Sequence, residues 1–129
     1  MKTILSVILT AFAAFVLGEY LPWWSVAIAA FAVALIINQA PGAAFISGFL
    51  GIALLWVAYA SWINQLNESL LSERIASVLP LQGSSILLIL LTGITGGLTG
   101  GLSALSASFL GRPKQRRADY QNYYRNKMR

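Results

Sequence analysis

The chain has no cysteine and no histidine. It therefore has no thiol nucleophile, no imidazole base, no Cys/His zinc site and no disulfide. Acids are scarce: Glu19, Glu68, Glu73 and Asp119 are the only ones, and no paired-carboxylate site is visible in their spacing. No phosphate-cradling loop and no dinucleotide fingerprint occurs. These absences predict a protein that is not an enzyme and that carries no metal and no cofactor. Charge is low overall, at 10% of residues, where a soluble domain carries about 25%. It is also unevenly placed, since residues 3–18, 20–67 and 75–111 carry none.

What fills these stretches is apolar. Hydrophobic residues make up 57% of the chain, and the mean hydropathy is +0.70. Charge-free apolar runs of such length predict membrane-spanning helices. A span takes roughly 20 residues at 1.5 Å each, so 20–67 is too long for one and breaks at Asn38-Gln39-Ala40-Pro41-Gly42. The expected fold is all-α, an integral membrane protein. Its transmembrane domain covers 1–111, with four spans at about 3–17, 23–37, 43–62 and 86–110, and 112–129 forms a basic tail.

Seven of the nine basic residues lie in that tail, among them Arg112, Lys114, Arg116 and Arg117. Basic segments stay cytoplasmic, so both termini are expected there, with a bacterial inner membrane as the expected location. Tyr20, Trp23, Trp24, Tyr59 and Trp62 then fall at the outer ends of spans, where an aromatic belt belongs. An alternative for span 1 is a cleaved signal peptide, with Gly18 as the small residue at the cleavage position. The tail's partner is expected to be anionic lipid head groups, although basic residues beside Tyr120, Tyr123 and Tyr124 also suit a protein or, less well, nucleic acid.

The outer loop 63–85 contains a predicted helix over Leu70–Leu79. Leu70, Leu71, Ile75, Val78 and Leu79 share one half of its wheel; Ser72, Glu73, Ala76 and Ser77 share the other. This predicts a helix lying flat at the interface, ended by Pro80 and Gly83, with Ser84 or Ser85 capping span 4. Arg74 sits inside the apolar arc. It either snorkels to lipid phosphate or pairs with Glu19, Glu68 or a ligand. Asn67-Glu68-Ser69 also matches a glycosylation sequon, which matters only in a eukaryotic secretory setting.

Span 4 is the most ordered stretch. At 100° per residue its side chains divide into three faces. Thr92, Thr95, Thr99, Ser103 and Ser106 form a hydroxyl stripe. Ile94, Leu98, Leu102, Leu105 and Phe109 form a bulky face suited to lipid. Gly93, Gly96, Gly97, Gly100, Gly101 and Ala104 lie on a small face with ridges at four-residue spacing, which lets helix backbones approach closely. Each glycine costs about 1 kcal/mol in an ordinary helix interior, so five within nine positions imply a compensating close contact. It lies either between subunits or within the chain, against Ala44, Ser47, Gly48 and Gly51. The hydroxyl stripe either bonds its own i−4 carbonyls or lines a polar path. No span centre carries the charged residue usual in ion-coupled transport.

Small multidrug-resistance transporters share the length and span count, but their acid within the first span and the rest of their pattern are missing here. Small fluoride channels share a Gly/Thr/Ser-rich stretch loosely like 96–103, without their Phe pair. The segment Leu71-Ser72-Glu73-Arg74-Ile75-Ala76, with the Gly-rich span and basic tail after it, resembles small uncharacterised four-span membrane proteins of the Bacteroidetes group. That resemblance covers about the last 60 residues and implies no activity. The expected function is an accessory or scaffold subunit that packs through span 4 as a homo-oligomer or with other membrane subunits. The alternative is a small oligomeric channel or transporter for a neutral or anionic solute, lined by the stripe.

Overall fold

A computed structural model describes the side chains of residues 1–111 and 118–129. The chain is helical, with no strand among the described residues. Its elements are α1 (Lys2–Tyr20), α2 (Ser25–Ile37), α3 (Pro41–Leu66), α4 (Leu70–Val78) and α5 (Ser85–Lys127). Three stretches are long and apolar enough to cross a membrane: Lys2–Tyr20, Pro41–Leu66 and Ser85–Gly111. The second apolar helix is shorter than the sequence suggests. It spans 13 residues, or about 20 Å, because Trp23 and Trp24 lie in the turn before it. The basic tail does not begin at a helix end, since α5 runs through the expected boundary at 111/112.

The connections follow local chemistry. After α2, Asn38 takes a left-handed conformation at φ 50° and its N–H bonds Ala34 O, a C-cap that asparagine tolerates. Pro41 then opens α3, where its missing N–H costs nothing. Gly83, at φ +75°, makes the bend between α4 and α5 that a side chain would resist. Ser84 is the residue that caps α5, accepting from Leu87 N–H at 3.5 Å.

The four long helices close into a ring in the order α1–α2–α5–α3. Among the described residues α1 and α5 do not pack against each other, and α2 and α3 share only a small contact. Helices α3 and α5 run antiparallel: Gly101 lies against Phe45, Gly97 against Phe49 and Ala53, and Gly93 against Val57. Helices α1 and α3 run parallel, with Ser6 beside Ser47 and Thr10 beside Gly51. Small residues dominate the buried contacts. One core cluster is entirely alanine, with Ala30, Ala34, Ala44, Ala104 and Ala107. The other contains Ala14, Val26, Ala29 and Ile52, and has Leu17, Leu55 and Trp56 packed beside it. Large apolar side chains such as Phe12, Ile36, Leu54 and Leu102 point outward, as lipid-facing positions do where tails solvate them as well as a core would.

Candidate functional site

The small face of α5 lies against α3 of the same chain. A Cβ built on Gly48 would come within 2.6 Å of both Ala104 Cβ and Gly100 O, and one on Gly100 would meet Gly48 O at 2.7 Å. This is backbone against backbone. The other glycines meet side chains: Gly96 receives the Trp56 ring, Gly97 the Phe49 ring and Gly101 the Phe45 ring. The four α3 residues expected opposite this face divide between two seams. Ala44 and Gly48 meet α5, while Ser47 and Gly51 turn to α1. The sequence reading passed over the stripe that receives them. Ser6, Thr10 and Ala14, all buried on α1, stand at the four-residue spacing that packs helices in lipid, and that spacing was the available signal.

The hydroxyl stripe bonds its own helix. Thr92 donates to Leu88 O at 2.9 Å, Thr95 to Leu91 O at 2.8 Å and Thr99 to Thr95 O at 3.1 Å. Ser103 donates to Thr99 O at 2.8 Å and Ser106 to Leu102 O at 2.9 Å. Each hydroxyl thus has a partner without a neighbouring helix or water, which is how Ser and Thr enter apolar surroundings at low cost. The stripe lies on the half-buried to exposed side of α5, and only Thr92 of it stands in the wall of a described cavity.

Helix α4 sits on the bundle by its small polar side. Ala76 is fully buried. Ser72 Oγ donates to Ser69 O at 3.0 Å, approaches Asn64 Oδ1, and reaches Ser85 Oγ at 3.0 Å. The apolar arc of Leu70, Leu71, Ile75 and Val78 is exposed, with Leu71 and Ile75 at the rim of a small cavity against α3 and α5. Ala76, which the wheel groups with Ser72, Glu73 and Ser77, is therefore the seat of the helix. Arg74 is exposed and forms no ion pair with Glu19 or Glu68. Arg112, Lys114, Arg116 and Arg117 lie outside the described residues.

Two polar atoms are buried without a partner among the described residues, Ser25 Oγ and Gln39 Nε2. Gln39 belongs to a chain of contacts at the α2–α3 turn. Ser47 Oγ lies 3.1 Å from Gln39 Oε1, 3.2 Å from Ser6 Oγ and 3.0 Å from Ala44 O. Ser25, at the start of α2, stands at the opposite end. There the ring opens into a cavity of about 370 Å³. All four long helices contribute to its wall, including Phe15, Glu19, Trp23, Trp56, Tyr59 and Thr92. A smaller cavity of about 190 Å³ adjoins it across Ala60, Ile63 and Thr92, with Asn64, Asn67 and Ser72 in its wall. The larger is mostly apolar, and Glu19 is the one charged residue in it. Its volume is in the range of small-molecule sites. Among the described residues no three acids group in a way that could hold a metal ion. No family model, no curated protein and no solved structure matches the chain, so its function has to be argued from these residues.

Proposed function

We propose that this protein is a small non-enzymatic membrane subunit that acts as an accessory or scaffold component. In this reading all four long helices cross a bacterial inner membrane. The short α2 does so with its Trp23-Trp24 turn in the head groups, and both termini are cytoplasmic. Helix α4 lies in the outer interface, where its exposed apolar arc faces acyl chains and Arg74 reaches lipid phosphate. The tail, including Arg112, Lys114, Arg116 and Arg117, sits on anionic lipid of the inner leaflet.

The observation that carries the reading is the use of span 4. Its small face is taken up by α3 and its hydroxyls by its own carbonyls. That makes a self-contained, tightly seamed bundle without a polar conduit through the chain, as suits a structural part. Partner helices then meet the outer bulky face of Ile94, Leu98 and Leu102, which is exposed. One observation favours a second reading, a channel. The stripe lies on the outside of α5, where a ring of sister chains would bring several copies together.

Native mass spectrometry of the protein, extracted mildly from its own membrane, tests the proposal. A stoichiometric complex with other membrane proteins is the expected result. A homo-oligomer that conducts solute in liposomes, and loses that flux when Thr95, Thr99 and Ser103 become alanine, would replace it with the channel.

A further inference from the structure

We infer that the cavity between the four long helices, at the Glu19 end, binds an amphiphile with an ammonium head, the head at Glu19 and the aromatic rings, the chain along the apolar wall. The inference is independent of whether the protein is a scaffold or a channel.

Four observations support it. First, the cavity is concave, about 370 Å³, and lined by all four long helices, so its shape is fixed by the whole bundle. Second, its charge is of one sign. Glu19 lies in the last turn of α1, where no basic residue neutralises it. The free carbonyls at a helix C-terminus add negative potential at the same place. Third, Trp23, Trp56 and Tyr59 share the wall with that carboxylate. Aromatic faces attract organic cations through the ring quadrupole, and more strongly in desolvated surroundings. Fourth, Ser25 in the wall carries a fully buried hydroxyl without a partner. An orphaned polar atom is costly in apolar surroundings, which marks this part of the wall as a place for a polar group. The rest of the wall is apolar and accepts a hydrocarbon chain. An anionic amphiphile would meet Glu19 and the α1 C-terminus with like charge. A plain hydrocarbon would leave both the carboxylate and the Ser25 hydroxyl unanswered.

An ammonium amphiphile has two sources, an amine-headed phospholipid of the surrounding bilayer or a free lipophilic amine. The test uses the full chain in neutral maltoside micelles and follows binding by the change in total tryptophan emission, to which Trp23 and Trp56 in the cavity wall contribute. The probe is octylammonium, with octanol and octanoate as neutral and anionic controls of equal chain length. The expected result is saturable binding of octylammonium roughly tenfold tighter than octanol, with octanoate weaker still. Glu19→Gln should erase the preference for the amine and leave octanol unchanged. Glu19 is exposed, so this variant keeps the fold, which circular dichroism checks. Trp23→Leu, also at an exposed position, should reduce the preference in part. Mass spectrometry of the protein released from its own membrane separates the sources. Retained phosphatidylethanolamine, lost in Glu19→Gln, identifies the lipid; an empty chain that still binds octylammonium identifies a free amine. Equal affinity for octylammonium and octanol overturns the inference. So does a preference that survives Glu19→Gln, or a signal that never saturates in a chain that retains no amine lipid.

Discussion

The two ends of the bundle use opposite means to hold helices. At the end near the α2–α3 turn the contacts are Ala30, Ala34, Ala44, Ala104 and Ala107, with Gly48 against Gly100 beside them. At the other end they are Phe15, Trp23, Trp56 and Tyr59 around a void of about 370 Å³. Both ends are apolar, so hydrophobicity does not distinguish them; side-chain size does. Small residues let backbones approach until carbonyl oxygens and Cβ atoms touch, and in lipid that close packing is what drives helices together. Large rings hold the helices apart, and their flat shapes do not fill the space they create. The same chain thus has one end that is all seam and one that can take a guest.

Adding one methyl group tells the two ends apart. The largest effect is expected at the tight end. Gly48→Ala places a methyl against backbone and against Ala104, neither of which can rotate away. It should cost about 3 kcal/mol, read as loss of helix content in a denaturation series in mixed micelles. Gly96→Ala makes the same chemical change at the open end. There the methyl meets the Trp56 ring at 2.6 Å, and the ring has the cavity to move into. The expected cost is about 1 kcal/mol, with a shift in tryptophan emission. Equal costs for the two would mean that the ends are equally tight.

Smaller effects are expected where hydroxyls are removed. Ser47→Ala takes the central oxygen out of the Ser6–Ser47–Gln39 chain and should cost about 0.6 kcal/mol, the usual value for such a bond in a membrane bundle. Thr95→Ala, Thr99→Ala and Ser103→Ala should each cost no more than about 0.3 kcal/mol, because each side chain serves only a carbonyl already bonded within the helix. A cost near 1 kcal/mol for any of the three, in the same denaturation series, would show that the stripe meets a second helix. Gly18→Ala, with open space around the added carbon, should leave the midpoint unchanged.

Much of this architecture was legible in the residues. The three faces of span 4 follow from a 100° wheel, and the structure holds those faces distinct. Periodicity describes one helix at a time, however, and does not say which neighbour a face meets. Ala44, Ser47, Gly48 and Gly51 read as one small stripe, yet each four-residue ridge within it faces a different helix. Helix α4 shows the same limit. Its wheel divides apolar from polar, but does not say which half meets the bundle, and Ala76 and Ser72 face the protein. The cavity left no trace in the sequence, because Glu19, Trp23, Trp56 and Tyr59 come from separate elements and meet only when the ring closes. Short α2 was misjudged because Trp23 and Trp24, apolar by composition, continue its hydropathy while their backbone is already turning after Pro22.

The order of the ring, α1–α2–α5–α3, is not the order of the chain, and this has a consequence for biogenesis. A ribosome delivers α1, α2 and α3 first, and these pair chiefly through the α1–α2 and α1–α3 seams, with a small α2–α3 contact. Until α5 arrives, Gly48 of α3 lacks Gly100, and the cluster of Ala30, Ala34 and Ala44 lacks Ala104 and Ala107. The last of the four helices is the keystone, and a nascent chain halted after α4 would expose its two most glycine- and alanine-rich surfaces to whatever protein passes in the membrane.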